Sequence, residues 1–180
     1  MRAMVKRLFA SSAVLVVLLT ACNSKTAATP ENYTAALNAW FVDHPECLLD
    51  GSVHFPLETT DAAQTKQMDS LVAAQILEAK KEPAIHITRY TLTTTGERAG
   101  THLCYGHRQV TSIVSSTPPV QANGFLESNV TYGYKLVDTP MWAKTAEVEA
   151  AYPKMAEQVS GNAKATMTLA RNRVAWVVPE

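Results

Sequence analysis

Five histidines are the residues of this 180-residue chain whose type first invites chemistry, and their spacing assigns them none. His102 and His107 lie five positions apart, so a regular strand would aim them at opposite faces. A bulge between them would be needed before both reached one ion. His86, between Ile85 and Ile87, faces away from both neighbours. His44 lies near Asp43 and Glu46 in a loop, an arrangement that offers a divalent cation a weak site. No pair matches a zinc spacing such as HExxH or paired CxxC, so ordinary surface or strand histidines are expected, with no metal and no cofactor. Serine chemistry fares no better, because GxSxG, SxxK and a glycine-rich phosphate loop are all missing from the sequence. Seven glycines leave little loop machinery for an oxyanion hole, and Cys47 as a nucleophile would need a free thiolate. No catalytic residue is assigned. Tyr132, Tyr134 and Trp142 either line a sugar or peptide groove or pack a core, the two tyrosines sharing the apolar phase of one strand.

The N-terminus carries chemistry of another kind. Arg2, Lys6 and Arg7 precede an uncharged, mostly apolar run from Leu8 to Leu19, too short to span a bilayer as a helix. The run ends in Leu19-Thr20-Ala21-Cys22, which resembles the lipobox of bacterial lipoproteins. That resemblance implies a signal peptide over residues 1–21, cleavage before Cys22, a diacylglycerol on its thiol and an acyl chain such as palmitate on its amine. Two or more chains anchor where one does not, at roughly 0.8 kcal/mol per buried CH2. Asn23, in place of an aspartate, implies sorting to the outer membrane, facing the periplasm, if the cell is Gram-negative. The rival readings are an uncleaved membrane helix and release by ordinary signal cleavage.

Placement of the chain outside the cytosol bears on the other two cysteines. With Cys22 lipidated, Cys47 and Cys104 remain as an even pair in an oxidising compartment, and a disulfide between them is expected. It would close a loop of about 57 residues, worth on the order of 4 kcal/mol in the chain-entropy model. The alternative is two buried thiols packed as small hydrophobes. Formal charge over the whole chain is zero, yet residues 1–21 carry three basic residues and no acid. The mature part therefore holds 13 basic and 16 acidic residues, a net charge of −3. Such a body has no electrostatic grip on phosphates, which argues against nucleic acid as a partner.

The elements that must position these residues follow from pattern. Residues 22–29 are a small, polar tether holding the domain ~15 Å from the membrane as a flexible coil. Thr29 caps a helix with Pro30 at its first position, and Tyr33, Leu37, Trp40 and Phe41 form its apolar stripe. Asp61 caps a second helix, with Gln64 at the capping-box position and Met68, Leu71, Val72 and Ile76 on its buried side. Ile85 to Thr93 reads as a strand with a bend or bulge between Ile87 and Tyr90, Gly96 and Gly100 bracket a polar turn, and Leu103 to Val114 returns. Residues 115–124, with Pro118 and Pro119, are the one internal stretch with linker character. Leu126 to Leu136 alternates as a half-buried strand with a wet outer face. A helix from Met141 to Ala151, ended by Pro153, precedes a C-terminal hairpin around Arg171-Asn172.

Leu71-Val72-Ala73-Ala74-Gln75-Ile76-Leu77 followed by Tyr90-Thr91-Leu92-Thr93 and Gly96 resembles a winged-helix domain over about residues 60–110. In that family a helix ending in an apolar turn leads into a hairpin whose first strand reads Tyr-x-Leu-Thr, with glycine at the wing; here Gln75 stands where the family often has glycine. Winged helices often bind DNA through the second helix and the wing. Here Lys66, Lys80 and Lys81 are balanced by Asp69, Glu78 and Glu82, and a clustered basic face is absent. The whole layout also resembles uncharacterised bacterial envelope lipoproteins, which implies no activity.

The expected fold class is therefore α+β: an N-terminal winged-helix-like portion, two or three helices and a β-hairpin, joined to an antiparallel sheet with one further helix. Residues 30–180 form a single α+β domain, with a candidate seam near 115–124. The expected function is non-catalytic, a lipid-anchored envelope protein bound to the membrane through its N-terminal lipid and binding another envelope protein or cell-wall polymer. A small-ligand or metal-binding periplasmic lipoprotein and a periplasmic hydrolase are the alternatives.

Overall fold

The computed structural model describes residues 24–161 and 163–179. Cys22 and residues 1–21, with the signal and lipidation expectations resting on them, lie outside the described residues. The described chain is mixed α+β with antiparallel sheets, and no described helix is long and apolar enough to cross a membrane.

Helix α1 spans Pro30–Asp43 and starts as its sequence requires, with the Thr29 hydroxyl accepting the Asn32 N–H at 3.4 Å. Its stripe of Tyr33, Leu37 and Phe41 is buried. Strand β1 (Glu46–Cys47) and strand β2 (Leu57–Thr59) are short. Helix α2 covers Ala62–Ala73, capped by Asp61 Oδ1, which accepts the Gln64 N–H at 2.7 Å. It ends three residues before Ile76, which the helical pattern had included.

The reason is local. Gln75 adopts φ +61, its N–H donates to Val72 O, and the Ile76 N–H reaches back to Leu71 O, each at 2.9 Å. Those two bonds make a helix-terminating motif in which glycine is the usual left-handed residue and Gln75 stands in for it. Glu78, Lys80, Lys81 and Glu82 consequently sit on strand β3 (Leu77–Glu82) and not on the second helix.

Strand β4 is Ile87–Leu92, and it pairs with β3 in unbroken register from Leu77↔Leu92 to Glu82↔Ile87. No bulge is needed, because Pro83–Ile85 is a 3-10 turn and His86, at φ +55, closes the hairpin. The phase slip in the sequence marks the turn. Strand β2 adds to the other edge of β4, giving a three-stranded sheet in the order β2-β4-β3. Where a polar wing turn was expected, Thr94–Ala99 is helix α3, capped by the Thr93 hydroxyl on the Gly96 N–H at 3.0 Å.

Gly96 is buried against the backbone of Ile76, and a Cβ there would lie 2.2 Å from Ile76 O. Backbone cannot rotate away as a flexible side chain can. Gly96→Ala is therefore expected to destabilise by about 3 kcal/mol, at the severe end of overpacking, read as a lower urea midpoint. An unchanged midpoint would show that α3 shifts freely.

Strand β5 (Cys104–Ser116) leaves this sheet and joins the second one, so β3 and not Leu103–Val114 is the hairpin partner of β4. Strands β6 (Val120–Ala122) and β7 (Phe125–Val137) follow. Residues 117–119 break the run of pairing along one edge of β7, with β5 on one side of the break and β6 on the other. The proline-containing stretch thus joins strands of one sheet. Pro153 does not simply end a helix: a 3-10 turn (Met141–Lys144) and helix α4 (Ala146–Ala151) precede it, and helix α5 (Pro153–Val159) begins on it. Strands β8 (Ala163–Arg171) and β9 (Trp176–Val177) complete the order β1-β5-β7-β8-β9.

The alternation in β7 holds. Val130, Tyr132 and Tyr134 are buried under α1, together with Val110, Leu169 and Trp176. A second cluster joins α2, β3, β4 and α4 around Leu71, Ile76, Tyr90, Tyr105 and Val148. Leu136 packs against both clusters, so the seam between them is closed by apolar contact.

Candidate functional site

Strand β5 positions the polar groups of a cleft, and an irregularity in it decides which residues face inward. Glu46 pairs with Gly106 and Cys47 with Cys104, so Tyr105 is an extra residue opposite β1. Gly106 takes φ +133, and a Cβ there would lie 2.6 Å from Val137 O, so only glycine fits. This bulge turns Tyr105, Arg108 and Val110 toward the interior although their spacing is not uniformly even.

Above them lies a cleft of about 440 Å3 between β1, α2 and α5, reached by Glu46, Gln67, Tyr105, Arg108, Lys154 and Gln158. Its floor is one connected network. The Tyr105 hydroxyl donates to Gln158 Oε1 at 2.5 Å, and Gln158 Nε2 donates to Glu46 Oε2 at 3.3 Å. Glu46 Oε1 lies 2.6 Å from Arg108 Nε, an ion pair whose two side chains are each 20% exposed. Arg108 Nη1 donates to the Tyr132 hydroxyl at 3.3 Å, and the guanidinium sits 4.6 Å from the Tyr134 ring centre.

Burial and charge hold Tyr105, Tyr132 and Arg108 in their protonated forms. Burial pushes the Tyr105 hydroxyl up to about 12, with the Glu46 charge adding to the shift. Burial raises Tyr132 as well, against the opposing hydrogen bond and charge of Arg108. Burial works against the charge of Arg108, but the Tyr132 bond and the Glu46 charge outweigh it and raise the guanidinium's pKa. Of the floor's phenols, Tyr105 donates to Gln158 and Tyr132 accepts from Arg108. In the second cluster, Tyr90 donates to Asp69 Oδ1 at 2.7 Å and is pushed up to about 12 by burial, with Asp69 adding to the shift.

A sign follows for pH. Folded-state phenol pKa values above the ordinary 10.0 contribute stability that is complete below pH 10. It is lost as pH rises from 10 through about 12. Alkaline titration followed by phenolate absorbance and circular dichroism should show Tyr90 and Tyr105 ionising together with unfolding. Free ionisation near pH 10 with the fold intact would contradict it.

Two buried polar atoms here have no hydrogen-bond partner among the described residues: Arg108 Nε, which has only its ion pair with Glu46, and the Tyr152 hydroxyl of the wall. Burial alone pushes the pKa of Tyr152 far up. Tyr152→Phe removes an unsatisfied polar atom while keeping the ring, so stability should rise by about 1 kcal/mol in urea unfolding. A loss of stability would mean the hydroxyl has a partner.

Of the residues singled out in the sequence, Cys47 and Cys104 form a disulfide at the edge of this cleft. His44 does not face Asp43 or Glu46; its ring stacks on Trp40 at 3.7 Å between centres, with Nδ1 2.7 Å from Trp40 O. His102 lies in the turn before β5 and not on the strand, while His107 Nδ1 lies 3.5 Å from Asp138 Oδ2. Among the described residues no group of three or more His, Cys, Asp or Glu is arranged so that it could hold a metal ion. Trp142, Tyr132 and Tyr134 are core residues, the tyrosines lying beneath Arg108. The sequence reading passed over Glu46, Tyr105, Arg108 and Gln158 as a set. The lone glycine at position 106 inside a long strand was the available signal of the bulge.

No protein-family model, no curated protein and no solved structure matches the chain. Fold and cleft together define a disulfide-bridged α+β domain with a preformed polar cleft.

Proposed function

We propose that this is a lipid-anchored cell-envelope protein of non-catalytic type, held by acyl chains on Cys22 and facing the periplasm. In this reading its cleft binds another envelope protein or a cell-wall polymer. The observation that carries the reading is the closed network of the cleft floor. Arg108 is already held by Glu46, Gln158 is held at both ends, and Tyr105 is fixed as a donor by a pKa of about 12. Groups so engaged recognise a ligand without offering a free nucleophile or base. A bound small polar molecule is the second reading, favoured by the cleft's volume of about 440 Å3, within the ordinary range for such sites.

In the same proposal the small sheet with α2 is a winged-helix-like scaffold with no role in DNA binding. Only the passage of a helix into a β-hairpin supports it, since that hairpin is β3–β4, Tyr90 to Leu92 lie on its second strand and Gly96 lies in α3. The charge balance supports the exclusion, since Arg89 is paired with Glu58 at 2.6 Å and lies 3.7 Å from Glu82.

Two measurements test the proposal. Cys22→Ala should leave the chain unprocessed and no longer lipid-modified by mass spectrometry; unaltered processing and membrane retention would defeat the anchor. A photocrosslinking residue at exposed position 154, on the rim of the cleft, should capture envelope protein or wall material in cells, and a silent crosslinker there would defeat the cleft.

A further inference from the structure

We infer that the ligand of this cleft is a neutral, hydroxyl-rich oligosaccharide at least two rings long, an inference that rests on the cleft being the binding site. Length comes from the cleft's neighbour. A second cavity of about 300 Å3 adjoins the first, and both are bounded by Leu48, Gln67 and Tyr152. The two form one groove between residues 46–57 on one side and α2 with α5 on the other. One ring would leave half of it unfilled.

Neutrality comes from charge. Glu46 and Asp50 stand along the groove against Arg108 and Lys154, so the formal charges cancel. Arg108 has Glu46 at 2.6 Å, and the Asp50 carboxylate accepts from the Ser52 N–H at 2.8 Å and from the Ser52 hydroxyl. A ligand charge meeting Arg108 or Asp50 would have to displace a partner already in place, and exposed Lys154 offers only a solvated charge, worth little to an ion pair.

Hydroxyls are favoured by the groups left over. Gln64, Gln67 and Gln158 line the groove, and a side-chain amide both donates and accepts, as a sugar hydroxyl does. With its oxygen taken by Tyr105 and one N–H by Glu46, Gln158 keeps a second N–H for a ligand oxygen. Leu48, Met155 and the Tyr152 ring supply apolar surface for the C–H faces of a sugar ring. An extended peptide would need a row of free main-chain groups. Two walls here are helices, whose backbone bonds are internal, and the two residues of β1 are already paired with β5.

The test uses the full chain in detergent micelles and calorimetric titration with a panel of neutral glucose and N-acetylglucosamine oligomers of increasing length. Binding should appear within the panel, and affinity should rise about tenfold from the single ring to the longer oligomers as the second cavity fills. Gln67→Ala, an exposed change with little effect on folding, and Gln158→Leu should each weaken it by about tenfold. Silence across the panel, equal affinity for one ring and many, or binding indifferent to both variants would overturn the inference. The crosslinker at position 154 separates the two levels. Capture of polypeptide with a silent panel would leave the cleft as a binding site and remove the saccharide; silence in both assays would remove both.

Discussion

Cys47→Ser combined with Cys104→Ser lowers the unfolding free energy by about 4 kcal/mol, the largest change expected from any substitution in this domain. The bond spans 57 residues of sequence, a loop that contains the entire three-stranded sheet together with α2 and α3. Without the bond the unfolded chain regains the freedom of that whole segment, and the loss of stability grows with the logarithm of loop length. The native state also loses something specific. Strand β1 has two residues and an irregular register against β5, so backbone pairing alone fastens Glu46 weakly over Arg108.

Urea unfolding followed by tryptophan fluorescence is the measurement. At a slope of about 2 kcal/mol per molar, the midpoint of the double variant should fall by roughly 2 M, and reduction of the native chain should reproduce the shift. Thiol labelling of the denatured, unreduced chain should find neither cysteine free. Coincident midpoints for oxidised and reduced protein would show that closing the loop contributes nothing. Reactive thiols at both positions would remove the bond itself.

How far the sequence discloses this arrangement depends on the range over which each cause acts. Caps are local, and Thr29, Pro30 and Asp61 mark helix starts that the structure realises. The alternation of Val130, Tyr132 and Tyr134 is equally local, because one buried face imposes a period of two. The run from Leu71 to Leu77 misleads because its apolar spacing suits a helix past the point where Gln75 turns the chain. Gly96 misleads in the opposite way. Its value lies in contact with Ile76 O, twenty residues earlier, and it sits inside a helix instead of a wing. Pro153 carries two meanings, since a proline that cannot continue one helix is well suited to begin the next. The cleft is the least legible feature. Glu46, Gln67, Arg108 and Gln158 come from four elements, and nothing in their neighbouring residues announces that they meet.

Arg108→Met is expected to cost about 3 kcal/mol, second only to the disulfide among the functional groups, because one side chain anchors several others. It faces Glu46 at 2.6 Å, donates to Tyr132 at 3.3 Å, and covers Tyr134 at 4.6 Å and Phe41 at 5.5 Å. Methionine keeps much of the apolar stem but leaves the carboxylate of Glu46, itself only 20% exposed, without its counter-charge. Much of the loss is thus the cost of a stranded charge, and a double-mutant cycle can isolate it. Glu46→Gln in the Arg108→Met background should restore about 1 to 2 kcal/mol by making the stranded group neutral. The same change in the native chain should be destabilising, since it would place an amide against Arg108. High salt should alter these differences little, because the pair is shielded from the ions that screen surface charges. If the double variant is as unstable as Arg108→Met alone, the loss is one of packing over Phe41 and Tyr134, and the ion pair does not hold the cleft together.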